Sequence, residues 1–175
     1  GDDFNALTGW TQSTGTWSVS DGIVTQTANS EGRLIKPLGF TLGATDAWIM
    51  ECRLRLNTSA AENTKFGLHD GTPGSTEDYK WGCGVGGWAN GRFWVSAENQ
   101  SSPSYDSKAA TVNVWYRGKM VQTGAPSLTG YVDDDQCGST ALTNSYSGLD
   151  TVALMIYSGQ KYASYDWVFL RKYTA

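Results

Sequence analysis

No long segment of this 175-residue chain carries a helical period. Apolar and polar residues alternate instead, and clusters of Gly, Asn, Asp and Ser interrupt the alternation about every eight to twelve residues. The clearest run is Asp46 to Asn57, in which Trp48, Met50, Cys52, Leu54 and Leu56 fall on one face and Ile49, Glu51, Arg53 and Arg55 on the other. Trp17 to Ser20 and Ile23 to Thr27 flank Asp21-Gly22, a dipeptide suited to a tight hairpin. Further strands are expected at Arg33 to Leu38 (ended by Pro37 or Gly39), Lys65 to Leu68, Asp78 to Val85 and Arg92 to Glu98. Others follow at Thr111 to Gln122, Thr129 to Asp133, Val152 to Tyr157 and Tyr165 to Tyr173, while Gln136 to Ser147 is less defined. His69 to Glu77 and Asn99 to Lys108 read as loops. So many strands without helices must stack as two antiparallel sheets or close into a barrel. No repeat or linker divides the chain, so 1–175 reads as a single domain.

Composition narrows the partners. Charged residues are 17% of the chain, against roughly 25% in an average soluble domain, while 8 Trp, 9 Tyr and 21 Gly give it the profile of β proteins that work outside cells. The net charge of −4 and the absence of a Lys/Arg run argue against nucleic acid, which needs a basic face, and against an anionic membrane surface. No apolar stretch approaches the ~20 residues of a membrane span. The start at Gly1-Asp2-Asp3, without Met or an apolar leader, reads as a mature or trimmed product. Of the three cysteines, Cys52 lies mid-strand and reads as a buried thiol, whereas Cys83 and Cys137 lie in Gly-rich surroundings where a bridge between them and two free thiols are equally open. Their spacing and the single His give no metal-ligand pattern. Asn57-Thr-Ser and Asn99-Gln-Ser are sequons that permit glycosylation outside the cell.

The ends of the chain carry a resemblance. Asp2-Asp3-Phe4-Asn5, the hairpin Trp17-Ser18-Val19-x-Asp21-Gly22, and the strand bearing Trp48, Glu51, Arg53 and Arg55 resemble the opening strands of concanavalin A-like lectin/glucanase domains. Tyr165 to Tyr173 resembles the closing strand of uncharacterised prokaryotic cell-surface domains of that fold. The resemblance implies an all-β, two-sheet antiparallel jelly roll with adjacent termini, and a concave face on which ligand groups sit. It also implies a structural calcium near the joined ends, for which Asp2, Asp3 and Asp166 are the candidates, since calcium takes 6–8 oxygen ligands. Asp133-Asp134-Asp135 reads as a solvated turn.

The enzymes of that fold can be tested against these residues. Retaining glucanases carry an E-x-D-x-x-E strand because the chemistry needs two carboxylates about 5 Å apart. Here Glu51 is followed by Cys52-Arg53 and Glu98 by Asn99-Gln100. The lyases need Gln-x-His, but His69 sits in Leu-His-Asp-Gly, which reads as a solvated or turn-capping position. The sequence therefore reads as non-catalytic.

Strand alternation places Trp94 opposite Phe93 and Val95, and Trp115 opposite Val114 and Tyr116. If the polar sets share a face, Trp94 and Trp115 stand there among Glu51, Arg53, Glu98 and Arg117, with Trp88 at the rim in Gly86-Gly87-Trp88-Ala89-Asn90-Gly91. Flat aromatic rings stack on sugar C–H faces while paired donors and acceptors take the hydroxyls. The same residues also suit plain packing and cross-strand ion pairs. Trp10, Trp17, Trp48 and Trp167 are assigned to the core or to sealing the termini. The leading expectation is a carbohydrate-binding or adhesion domain at the cell or virion surface, with a glycan or polysaccharide as partner. The alternative is a self-associating structural subunit of a surface filament or virus particle, in contact with other surface proteins.

Overall fold

A computed structural model describes residues 1–27, 31–43, 45–57, 64–72, 81–85, 91–97, 104–124, 127–141, 148–156 and 163–173. Among these there are fourteen strands and no helix: β1 (Thr11–Thr14), β2 (Trp17–Ser20), β3 (Ile23–Gln26), β4 (Gly32–Leu42), β5 (Trp48–Leu56), β6 (Thr64–His69), β7 (Trp81–Val85), β8 (Arg92–Ala97), β9 (Ser104–Ala109), β10 (Trp115–Gln122), β11 (Ser127–Val132), β12 (Asp135–Ala141), β13 (Leu149–Ile156) and β14 (Ala163–Lys172). They form two seven-stranded antiparallel sheets, the first in the order β1-β4-β13-β6-β7-β8-β9 and the second β12-β11-β10-β5-β14-β3-β2. No helix among the described residues is long and apolar enough to cross a membrane.

The expected alternation of β5 holds: Trp48, Met50, Cys52, Leu54 and Leu56 are all buried between the sheets. From the first sheet Leu34, Phe66, Leu68, Phe93, Val95, Val152 and Leu154 join them. Two glycines of the second sheet make room for bulky partners opposite. A Cβ on Gly118 would stand 2.6 Å from Phe66 Cε1, and one on Gly130 would stand 2.7 Å from Val95 Cβ. The Asp21-Gly22 hairpin forms as expected between β2 and β3, with φ of 53° and 74° at its two central residues.

Other boundaries differ from expectation. β4 runs past Pro37 and Gly39 to Leu42; β1 pairs with it only at Arg33, Leu34 and Ile35, so the missing N–H of Pro37 removes no ladder bond on that side. Ser104 to Lys108, expected within a loop, belong to strand β9 beside β8. β10 begins only at Trp115, because Asn113 (φ 64°) turns the chain just before it. His69, expected in a turn, ends β6 opposite Thr151 and is 2% exposed.

The termini are adjacent. Asp2 and Val168 exchange backbone hydrogen bonds, N to O at 2.8 and 3.0 Å. Cys137 is a free, buried thiol whose Sγ lies 3.0 Å from the Cβ position of Gly130. It fills the space that glycine leaves and makes no bridge to Cys83, whose side chain lies outside the described residues. Cys52 is free and buried too, and burial, aided by the negative charge of Asp166, pushes its thiol well above the ordinary range.

Candidate functional site

The polar positions of β5, β10 and β14 share the outer face of the second sheet, and the register arranges them in rows. Trp115, Arg55, Ser164 and Thr25 are successive cross-strand partners on β10, β5, β14 and β3. Across four strands such a row spans about 14 Å. The next row holds Arg117, Arg53 and Trp167, and the one after it Tyr131, Lys119, Glu51 and Phe169.

Trp115 is partly exposed and is flanked by two guanidiniums, with Arg55 Cζ 4.7 Å and Arg53 Cζ 5.1 Å from its ring centroid. Both lie within the range of a cation–π contact. Arg53 Nη1 also donates to Asp166 Oδ2 at 2.5 Å. The reason lies in β14, where the register shifts between Tyr165 and Trp167, so that Asp166 is the extra residue of a bulge opposite Arg53. The bulge sends Tyr165 and Val168 into the core and leaves Asp166 and Trp167 half-buried on the outer side. Trp167 is therefore not a core residue; its ring packs 5.2 Å from that of Phe169, which is 42% exposed.

Hydrogen bonds fix the first row. Arg55 Nε donates to Asn57 Oδ1 at 2.9 Å, Asn57 Nδ2 donates to Ser164 Oγ at 2.8 Å, and Ser164 Oγ lies 2.9 Å from Thr25 Oγ1. At the other edge Asp133 and Asp134, with φ of 48° and 73°, form the exposed turn between β11 and β12. Asp134 pairs with Arg117 and accepts from Lys119 Nζ at 3.1 Å. The Lys119 hydrogen bond holds its carboxyl below the usual carboxylate range, against the desolvation that opposes ionisation and with help from the charge of Arg117. Lys119 Nζ also lies 4.5 Å from the Tyr131 ring centroid. Glu51 faces Arg171 Nη2 at 3.5 Å.

This face unites Trp115, Glu51, Arg53 and Arg117, but not Trp94. β8 belongs to the first sheet, so its outward residues face the opposite side of the sandwich from those of β10. Trp94 is 1% exposed there, packed with Ile35, Ala153 and Met155 and lying 5.9 Å from Lys65 Nζ. Trp88 and Glu98 lie outside the described residues.

The acidic candidates for calcium do not converge either. Asp2 Oδ1 accepts from Phe4 N, while Oδ2 accepts from Trp10 Nε1 at 2.9 Å and Lys36 Nζ at 2.6 Å. Asp166 is neutralised by Arg53, and Asp3 is exposed. Among the described residues no three His, Cys, Asp or Glu side chains come together as a ligand set.

Sequence reasoning missed Tyr131, Lys119, Asn57 and Phe169. The alternation Ser127-x-Thr129-x-Tyr131 carried the signal for Tyr131, but its neighbours are set only by the β10–β11 pairing.

No protein-family model matches this sequence, and no curated protein does. Solved structures do match in fold. The carbohydrate binding module CBM66 from Bacillus subtilis superposes with a TM-score of 0.65 at 13% identity, over 94% of this chain and 96% of that one. The carbohydrate recognition domain of Emp47p superposes with a TM-score of 0.68 at 15% identity, over 95% and 89%. A sialidase gives a TM-score of 0.72 at 10% identity over 98% of this chain, which spans only 18% of the sialidase. The fold is the concanavalin A-like jelly-roll β-sandwich that the sequence motifs suggested.

Proposed function

We propose that this domain is a non-catalytic carbohydrate-binding or adhesion module of an exported or surface protein, and that it engages glycan on the outer face of the second sheet. The observation that carries the reading is Trp115, partly exposed, near the guanidiniums of Arg53 and Arg55, at the end of a hydrogen-bonded polar row. An aromatic plane bordered by oriented donors and acceptors is the combination a pyranose requires. The carbohydrate-binding and carbohydrate-recognition domains that share the fold support it.

Catalysis finds little support on this face. Glu51 faces Arg171, and Asp166 and Asp134 are each paired with an arginine, so these carboxylates serve as ion-pair partners. The sialidase likeness shows that the fold also occurs within an enzyme chain, so reducing-end release from polysaccharides is the direct check.

The test of the proposal is retention on a glycan array and on insoluble polysaccharides, for the wild type and for Trp115→Ala. Retention that falls at least tenfold in the variant supports both function and site. Retention unchanged by the substitution moves the site elsewhere, and no retention on a broad panel sinks the function. The alternative, an assembly subunit, draws on Phe40, which is 53% exposed beside a groove lined by Trp10, Pro37, Leu38 and Leu170. A neighbouring subunit would bury that ring, and light scattering would then report an oligomer.

A further inference from the structure

Of the five cations on this face, four already have a carboxylate: Arg53 has Asp166, Arg117 and Lys119 share Asp134, and Arg171 faces Glu51. Arg55 differs. Among the described residues it has no carboxylate partner, yet it is held by a hydrogen bond and by contact with an indole. Its Nε is fixed by Asn57 Oδ1 at 2.9 Å and its Cζ lies 4.7 Å from the Trp115 centroid. Asn57 is in turn anchored to Ser164, which is fully buried. The Nε of Arg55 is thereby used, and among the described residues its terminal amino groups make no hydrogen bond or ion pair, which leaves them, on a partly exposed side chain, for a ligand. A guanidinium held in one plane loses little freedom when it forms two parallel bonds to an oxyanion. Stacking on an indole also removes water from one side of the charge, which strengthens the pairing.

We propose that Arg55 is the anion subsite of this face, and that the glycan recognised carries a carboxylate or sulfate group placed to meet the Arg55 fork beside Trp115. The proposal rests on the glycan-binding reading and adds the chemical class of the sugar. Asn57 is a positioning residue: it touches Arg55 and not the ligand. The negative charge of the whole chain does not oppose this, because at ~0.15 M salt charges more than about 8 Å away are screened, and the recognition is a local, bidentate contact.

Two matched pairs of polymers test it, polygalacturonate against its methyl ester and dextran sulfate against dextran, each with the wild type, Arg55→Gln, Arg55→Lys and Trp115→Ala. Thermal unfolding of every variant confirms that it is folded. The expected result is at least tenfold stronger retention on one charged polymer than on its neutral counterpart. Arg55→Gln should abolish that preference, and Arg55→Lys should keep part of it, because the charge stays while the fork is lost. Preference within the first pair assigns a carboxylate, and within the second a sulfate ester. Equal, Trp115-dependent retention on charged and neutral polymers overturns the anion subsite while the glycan-binding function stands. A charge preference that survives Arg55→Gln also overturns it. Retention on none of the four, together with none on the broad array, overturns both readings.

Discussion

Lys36 Nζ stands 2.6 Å from Asp2 Oδ2 and 5.6 Å from the centroid of the Trp10 ring, so one ammonium ties the first residues of the chain to strand β4. The same carboxylate accepts from the Trp10 indole and from Phe4 N, and the Asp2 backbone is clasped to Val168. Burial pushes the Asp2 carboxyl up, but the hydrogen bonds from Lys36, Trp10 and Phe4 and the charge of Lys36 outweigh it and hold the group below its ordinary value. A carboxyl lowered in this way contributes stability above its unfolded pKa of about 3.9 and loses it as the pH falls through the lower folded value. Asp2→Ala leaves a buried indole N–H and an ammonium without their acceptor, and is expected to cost about 1–3 kcal/mol at neutral pH. Chemical denaturation at pH 7 and again below about pH 4 checks this: the gap between wild type and variant should narrow in acid.

The inter-sheet glycines make a second prediction. A methyl group at Gly118 meets Phe66, and one at Gly130 meets both Val95 and Cys137, all within 3.0 Å. Gly118→Ala and Gly130→Ala should each destabilise by about 1–3 kcal/mol through overpacking. Because the Gly118 clash is with ring atoms of Phe66, which Phe66→Ala removes, Phe66→Ala combined with Gly118→Ala should lose less than the sum of the two single changes. Additive losses in urea melts would contradict this close contact.

The thiols should follow their burial. Cys52 is fully buried and its thiol is held protonated, and Cys137 is 3% exposed. The thiolate is the reacting species, so neither should be alkylated by iodoacetamide in the native protein at pH 8, and both should be alkylated at once in denaturant. Peptide mapping by mass spectrometry distinguishes them from Cys83, and rapid native labelling at Cys137 would show that it is not seated beside Gly130.

How far the sequence was legible depends on the range of the interaction. Local signals were reliable: the alternation of β5 and the Asp21-Gly22 turn are written in adjacent residues. What failed needed knowledge of distant partners. Trp94 and Trp115 both alternate with core residues, yet their strands join different sheets, and no local pattern assigns a strand to a sheet. β9, lacking an apolar run, is a strand because β8 pairs with it. Of the site, Glu51, Arg53, Trp115 and Arg117 were readable as outward positions, whereas Asn57 and Asp166 acquire their roles only from cross-strand hydrogen bonds.

The bulge in β14 yields the sharpest test of this last point. Simple alternation from Tyr165 would send Trp167 inward with it; instead the extra residue Asp166 leaves Trp167 on the outer side, where only part of it is covered. Trp48, by contrast, is 1% exposed between the sheets. Truncating a buried Trp removes its transfer energy and leaves a cavity, so Trp48→Ala should cost about 3–5 kcal/mol. Trp167→Ala opens no interior cavity and removes mainly the contact with Phe169, worth about 0.5–1.5 kcal/mol beyond area burial. Guanidinium denaturation of the two variants side by side should show this gap. Equal losses would mean that Trp167 is a core residue and that β14 runs without its bulge, which would also take Asp166 away from Arg53 and leave two arginines beside Trp115 unneutralised.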